Sequence, residues 1–213
     1  MSPPLLAAVL FDWDGTLVDS AEVSYRCFLR LFESYGFGFD RAAFARTYSP
    51  NWILTYRAMA LPERDWPEAD ARWVGYYQDE RSFLLPGASE ALTLLGERGK
   101  GRGLVTSGDR ERVRGELQRF GLDGHFGAIL CGQDVGNRKP HPEGLLRALD
   151  RMGVAPGEAA YVGDSPEDVE MARAAGVFSV GIPGGFPNRE ALVASKPDLL
   201  TASLSEAVAA LLR

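Results

Sequence analysis

Two acids, a glycine and a threonine follow directly on a short apolar run: Ala7-Ala8-Val9-Leu10-Phe11 leads into Asp12-Trp13-Asp14-Gly15-Thr16. Such a run reads as a buried strand. Its abrupt end places carboxylates at the strand's carboxyl end, the edge where open α/β sheets bind ligands. Asp12 and Asp14 are one residue apart, so in an extended chain they lean to one side, and Gly15 lets the backbone turn sharply. Two crowded carboxylates repel and need a cation or a shared proton. An Asp-Gly turn accounts for these residues equally well when they are taken alone.

Three later stretches add to the first. Gly103-Leu104-Val105 ends in Thr106-Ser107-Gly108, whose hydroxyls and glycine-supported amides suit phosphate oxygens, although a Ser/Thr helix cap explains it about as well. Arg138-Lys139-Pro140-His141-Pro142 sets a lysine in a loop restricted by prolines, and alone it reads as a solvated lysine. Val162-Gly163-Asp164-Ser165-Pro166-Glu167-Asp168 again runs a strand into acids, for which helix dipole and capping are sufficient reason. Together the four stretches fall on one edge of one parallel sheet. Such an edge would hold a divalent cation through oxygen ligands and, with hydroxyl, amide and ammonium donors, would take a phosphoryl group.

Other phosphate and metal motifs do not fit. A calcium loop needs further ligands and a glycine at fixed offsets, and here a strand precedes the acids. No Gly-x-x-x-x-Gly-Lys-Ser/Thr occurs, and Gly99, Gly101 and Gly103 precede their strand, the wrong side for a dinucleotide fingerprint.

The elements that must position these residues alternate. Helix 88–97 leads to strand 102–106, helix 111–120 to strand 128–131, helix 144–152 to strand 160–163, and helix 167–175 to strand 177–180. A final strand lies near 198–200, with a closing helix from Ser205. Alternation of this kind predicts an α/β fold with a doubly wound parallel sheet and helices on both faces. Between Ser20 and Leu85 the pattern is helical, over 20–36, 40–46, 52–59 and 69–80, with no convincing alternating strand. That segment carries six phenylalanines, three tryptophans and six tyrosines, against 11, 4 and 7 in the whole chain. The shift in composition predicts a separate small helical unit, inserted after the first strand and filled by bulky residues. Residues 1–19 and 86–213 would then form the core, and 20–85 the insertion.

Composition narrows the partners. The 213 residues are 46% hydrophobic and 24% charged, an ordinary globular balance, and the formal net charge is −6. That charge argues against nucleic acid or an anionic membrane surface as the main partner. Cys27 and Cys131 lie far apart with no paired spacing, so neither a zinc site nor a disulfide framework is expected. The N-terminus lacks a basic region and its apolar run stops at Asp12, too short for a signal peptide, so the expectation is a cytoplasmic protein. A small-molecule substrate and a monomer or weak homodimer are expected separately.

At these residues the sequence resembles the haloacid dehalogenase superfamily, in its phosphoglycolate-phosphatase-like branch. Phe11-Asp12-Trp13-Asp14-Gly15-Thr16-Leu17-Val18-Asp19-Ser20 matches the first family motif, with Trp13 where leucine is more usual. Thr106 fits the second motif, Lys139 in Lys-Pro-His-Pro the third, and Gly-Asp-Ser-x-x-Asp at 163–168 the fourth. The likeness covers essentially the whole chain, including Leu-Pro-Gly at 85–87, where such chains re-enter the core. The resemblance implies a Rossmann-like core with a helical cap and a phosphoric monoester hydrolase. It implies Asp12 as nucleophile, Asp14 as general acid and base, and Mg2+ held by Asp12, the Asp14 carbonyl and Asp164, with Asp168 supporting from nearby. Lys139, Thr106, Ser107 and Gly108 would then meet the phosphoryl oxygens.

The physical reading agrees. A carboxylate is ionised at neutral pH and attacks without a base, and a second acid two residues on is placed to protonate the leaving group. A phospho-accepting receiver is a rival binding module, but it lacks a helical insertion and carries its acceptor on a middle strand. An idle interaction protein on this scaffold is disfavoured by the complete set of acids. A dehalogenase would not need Asp14, and a phosphonate hydrolase would want a cap lysine, whereas 20–85 contains none. A sugar-phosphate mutase uses the same motifs and stays open. The cap loop Arg46-Thr47-Tyr48-Ser49-Pro50-Asn51-Trp52 is expected to choose the substrate, with Arg46 pairing to a carboxylate or second phosphate. A helix-end cation complementing the dipole is an equal account of Arg46.

Overall fold

Strand β1 (Ala8–Phe11) is buried at every position, which is what a run without polar alternation requires when both faces of a sheet are covered. The computed structural model describes residues 5–213. In it β1 lies at the centre of a six-stranded parallel sheet. Its neighbours are β4 (Gly101–Val105) and β6 (Ala159–Gly163), in register as Phe11 to Leu104 and Phe11 to Val162. The sheet continues outward through β5 (Ala128–Leu130) on one side, and through β7 (Phe178–Gly181) and β8 (Leu199–Leu200) on the other. The chain therefore winds from β1 to one edge, then returns and winds to the other. Loops after the central strands part at such a switch and leave a crevice.

Alternate side chains of β1 face opposite layers. Val9 and Phe11 pack with helices α5 (Ala88–Glu97), α6 (Arg110–Phe120) and α10 (Leu204–Leu211), through residues such as Leu92, Val113, Leu117 and Val208. Ala8 and Leu10 pack with α7 (Glu143–Met152) and α8 (Pro166–Ala175), through Leu145, Leu149 and Met171. The α/β class and the doubly wound sheet follow as the sequence predicts.

Four helices fill the insertion: α1 (Ala21–Ser34), α2 (Arg41–Thr47), α3 (Trp52–Ala58) and α4 (Trp66–Gln78). Asp40 caps α2 by accepting a hydrogen bond from the Ala43 amide at 2.7 Å. The aromatic residues build a separate apolar cluster here, with Phe28 against Trp73 at 5.6 Å and Phe32 against Phe39 at 4.8 Å between ring centroids.

The structure differs from the sequence reading in two places. The segment read as strandless ends in β3 (Phe83–Leu84), which pairs antiparallel with β2 (Val18–Asp19), so the two tethers of the insertion form one ribbon. Two residues are too few for alternation to show. Helix α9 (Arg189–Ala194) was also not foreseen, and at six residues it is under two turns long.

Candidate active site

The carboxyl ends of β1, β4 and β6 bring the four motifs together. Asp12, Thr106 and Asp164 each follow directly on one of these strands, and all three are buried. Lys139 arrives from the loop between β5 and α7, with its side chain 3% exposed. Its Nζ lies 2.8 Å from Asp12 Oδ1 and 2.7 Å from Asp168 Oδ1. The solvated-lysine reading therefore does not hold, because an ammonium this enclosed is kept by its two carboxylates.

Asp168 does two jobs at once. Its Oδ2 accepts from the Ser165 amide at 3.0 Å, the Asp164 amide at 3.2 Å and Ser165 Oγ at 2.7 Å, while the Asp168 amide donates to Ser165 Oγ at 3.2 Å. The capping explanation is thus correct and incomplete. Capping fixes the start of α8, and the remaining oxygen holds Lys139.

Burial dominates the electrostatics. It pushes the Asp12 carboxyl up to about 7, against the pull of Lys139 and with Asp168 adding to the rise. Asp164 is raised as well, by burial first and then by Asp168 and Asp12. Burial works against the Lys139 charge, yet Asp12 and Asp168 outweigh it and hold the ammonium above the usual lysine range. Three buried acids and one buried base leave the site short of positive charge.

A cation fits that shortage. Asp12, Asp164 and Asp168 each offer an oxygen, all within 4.8 Å of one another. Asp164 Oδ2 is buried with no hydrogen-bond partner, a position a native fold keeps for a ligand or ion. Gly15 makes the close approach possible. It has φ +74°, and a Cβ there would collide with Asp164 Oδ2. With both Asp168 oxygens engaged, Asp12 and Asp164 are the carboxylates free to ligate.

Beside the acids is a narrow cleft, lined from the core by Asp12, Asp14, Thr106, Ser107, Gly108 and Phe186. From the insertion come Ser24, Tyr48, Pro50, Trp52 and Trp73. Ser107 Oγ is buried and unpartnered, and Thr106 Oγ1 accepts from the Gly108 amide at 3.1 Å. The insertion is seated by Tyr48 stacked on Phe186 with centroids 4.4 Å apart, and by Ser49 Oγ donating to Glu167 at 3.1 Å.

The sequence model of the haloacid dehalogenase-like hydrolases matches residues 9–182. The chain belongs to this family. A phosphoglycolate phosphatase of Salmonella choleraesuis (strain SC-B67) is 32% identical over 233 residues, covering 97% of this chain and 92% of the relative. The phosphoglycolate phosphatase of Escherichia coli (strain K12) is 37% identical over 140 residues, or 66% of this chain, and the match spans only 56% of that relative. Among solved structures, a putative haloacid dehalogenase-like hydrolase from Bacteroides fragilis superposes with a TM-score of 0.87 at 28% identity, over 95% of this chain and 99% of that one. This hydrolase is of the phosphoglycolate-phosphatase-like branch.

Two residues of this haloacid dehalogenase-like hydrolase stand away from where the sequence reading put them. Arg46 is exposed near the end of α2 and does not line the cleft. The reason is helical phase: Ala43 and Phe44 point into the insertion's core, and Arg46 then faces solvent. The side chain of Asp14 is turned from the three clustered acids toward α6, where Arg112 Nη1 and Nη2 donate to its two oxygens at 3.0 and 2.5 Å. Arg112, Glu116 and Phe186 were missed. Arg112 and Glu116 stand four apart beside the apolar stripe Val113 and Leu117, so opposite charges next to an inward stripe were the available signal.

Proposed function

We propose that the chain is a magnesium-dependent phosphatase that hydrolyses a small-molecule phosphate monoester through an aspartyl-phosphate on Asp12. The observation that carries the proposal is the pairing of buried Asp12 with Lys139 at 2.8 Å, beside a cleft roofed by the insertion. The phosphoglycolate phosphatase relatives support the reaction class.

In this reading an Asp12 oxygen attacks phosphorus in line as the ester P–O bond breaks. Asp14, once released from the Arg112 fork that holds it as a carboxylate, would give a proton to the departing oxygen and then take one from the water that hydrolyses the acyl phosphate. Lys139, Thr106 and Ser107 meet the negative charge spread over the equatorial oxygens. Mg2+ would be held by Asp12, Asp164 and the Asp14 carbonyl, and when bound it offsets the repulsion between carboxylate and phosphoryl group. The insertion, tethered at two points, excludes bulk water and contacts the leaving group through Tyr48, Pro50 and Trp52.

The test is a panel of phosphate esters, including 2-phosphoglycolate and sugar phosphates, assayed with Mg2+. Phosphate release from a small ester, abolished reversibly by chelation, is the expected result. Transfer between positions of a sugar phosphate without net release would instead show a mutase. No turnover of any ester refutes the reading.

A further inference from the structure

The acids and the room for a leaving group lie in adjoining spaces. The cleft at Asp12 and Asp14 has a free volume of about 20 Å³, little more than one water needs. A second cavity, of about 330 Å³, is in the range of small-molecule sites. Ser107 and Trp52 line both, which makes the larger space the continuation of the smaller one.

The walls of the larger cavity come from the insertion and the core alike. Trp52 of α3 and Asp70 and Val74 of α4 face Ser107, Asp109 and Arg138. Both oxygens of Asp109 are engaged, one accepting from the Arg112 amide at 3.0 Å and the other from Gln133 Nε2. Asp70 is half used. Its Oδ1 accepts from Tyr56 Oη at 2.9 Å, and burial raises its carboxyl while Tyr56 and Arg138 pull it back.

Arg138 contrasts with its neighbour in sequence. Lys139 is spent on Asp12 and Asp168. The half-buried Arg138 guanidinium has no carboxylate within 4.0 Å and no hydrogen bond among the described residues. Gly132 sets where it lies, because a Cβ there would come 2.6 Å from the Ser107 carbonyl oxygen and 3.6 Å from Arg138 Cζ. The guanidinium therefore rests beside the loop that carries Ser107, on the wall of the larger cavity. Its planar donors match a carboxylate with two parallel hydrogen bonds. One guanidinium balances one charge, and with Asp70 on the same wall a second phosphate of about two charges would be under-compensated.

We propose that Arg138 is a specificity-determining residue that binds a carboxylate at the far end of a hydroxylated leaving group lying between Trp52 and Asp70. Hydroxyls along that chain donate to the remaining Asp70 oxygen, while Ser107 stays with the phosphoryl group. The inference deepens the phosphatase reading above and rests on it.

The test compares kcat/KM for two open-chain six-carbon esters, 6-phosphogluconate and sorbitol 6-phosphate. They differ only in ending in a carboxylate or in CH2OH. The wild type should favour the carboxylate at least about tenfold, and Arg138→Gln should bring the ratio within about twofold of one, since a hydrogen bond to a charged group is worth roughly 10- to 100-fold. Arg138→Lys keeps the charge without the planar pair of donors and should retain part of the preference. Asp70→Asn removes a carboxylate that competes for the guanidinium, so there the preference should hold or rise.

A preference that survives Arg138→Gln overturns the proposal. Equal losses on both esters in that variant also overturn it, and a fall in preference in Asp70→Asn would assign Arg138 to Asp70 instead of to substrate. Should Arg138→Gln fail to fold, Arg138→Lys decides, and an undiminished ratio in it overturns the proposal. A wild-type protein inactive on every ester refutes the phosphatase reading and this inference with it. An active wild type that turns over neither six-carbon ester, or both alike, refutes the inference alone.

Discussion

Lys139→Met is the most direct perturbation of the buried charge balance. The variant keeps an unbranched side chain of similar length and loses only the charge and the donors. Asp12 and Asp168 would then face each other with no cation between them, where Lys139 now stands 2.8 and 2.7 Å away. Breaking a buried pair by removing one partner costs about 3–5 kcal/mol. For a chain of this size 1 kcal/mol moves the melting temperature by about 2–4 °C, so a drop of roughly 6–20 °C is expected without magnesium. The assay is a thermal melt at about pH 8, repeated at about pH 5. Lys139 is what pulls the Asp12 carboxyl down against its burial, so without it Asp12 is raised further, carries its proton at the lower pH, and the penalty shrinks there. Turnover should fall roughly 10²–10³-fold, as for loss of one preorganised donor to transition-state charge. A melting drop under about 2 °C at pH 8 with less than a threefold rate loss would refute the reasoning, because a buried lysine held by two acids cannot be dispensable.

Asp12→Asn should reduce turnover by at least about 10⁴-fold with a circular dichroism spectrum like that of the wild type, since an amide is no nucleophile; substantial residual hydrolysis would move the nucleophile elsewhere. Magnesium should raise the melting temperature more at pH 8 than at pH 5. Asp12 and Asp164 are both raised in the folded protein, so without metal stability falls as pH rises above the ordinary carboxylate range, for Asp12 through about 7, and a cation restores it. A shift that is equal at both values, or larger at pH 5, would separate the metal from these acids. Arg46→Ala should leave the ranking of substrates unchanged, because Arg46 is exposed and outside the cleft, and should cost at most about 1 kcal/mol as a helix-end cation; a reordered ranking would return Arg46 to substrate selection.

The fold was legible because its signals are local and repeated. Strands β1, β5 and β6 are apolar runs bounded by glycine or a loop, and the helices between the strands show the 3.6-residue period. The observed bounds of α5 coincide with the expected 88–97, and β1 and β6 differ from expectation by one residue. The ribbon β2–β3 was not legible, since its pairing joins Val18 to Leu84 across the whole insertion and two residues carry no period. The same holds for Phe186. It sits in a loop with no pattern of its own, yet its ring stacks on Tyr48 from a segment far away in sequence.

Legibility in the site follows the same division. Asp12, Thr106 and Asp164 can be read because each ends an apolar run, and a strand's end is a place in space as well as in sequence. Lys139 lacks that anchor, and its burial between Asp12 and Asp168 is a tertiary fact that no loop composition predicts. Arg46 shows the converse error. A cation near an apolar loop looks like a ligand for an anion, but Ala43 and Phe44 take the inward face of α2, and three-dimensional phase then points Arg46 to solvent. Arg112 reverses the appearance again. In a helix rich in arginine and glutamate it reads as one more solvated charge, while Val113 and Leu117 turn its side of α6 inward. A buried charge is kept only where partners meet it on every side. Here only Glu116 shares the helix with Arg112, while Asp14 and the Tyr77 ring come from the end of β1 and from α4, so the sequence around Arg112 shows one of the partners that bury it and hides the one it grips by both oxygens.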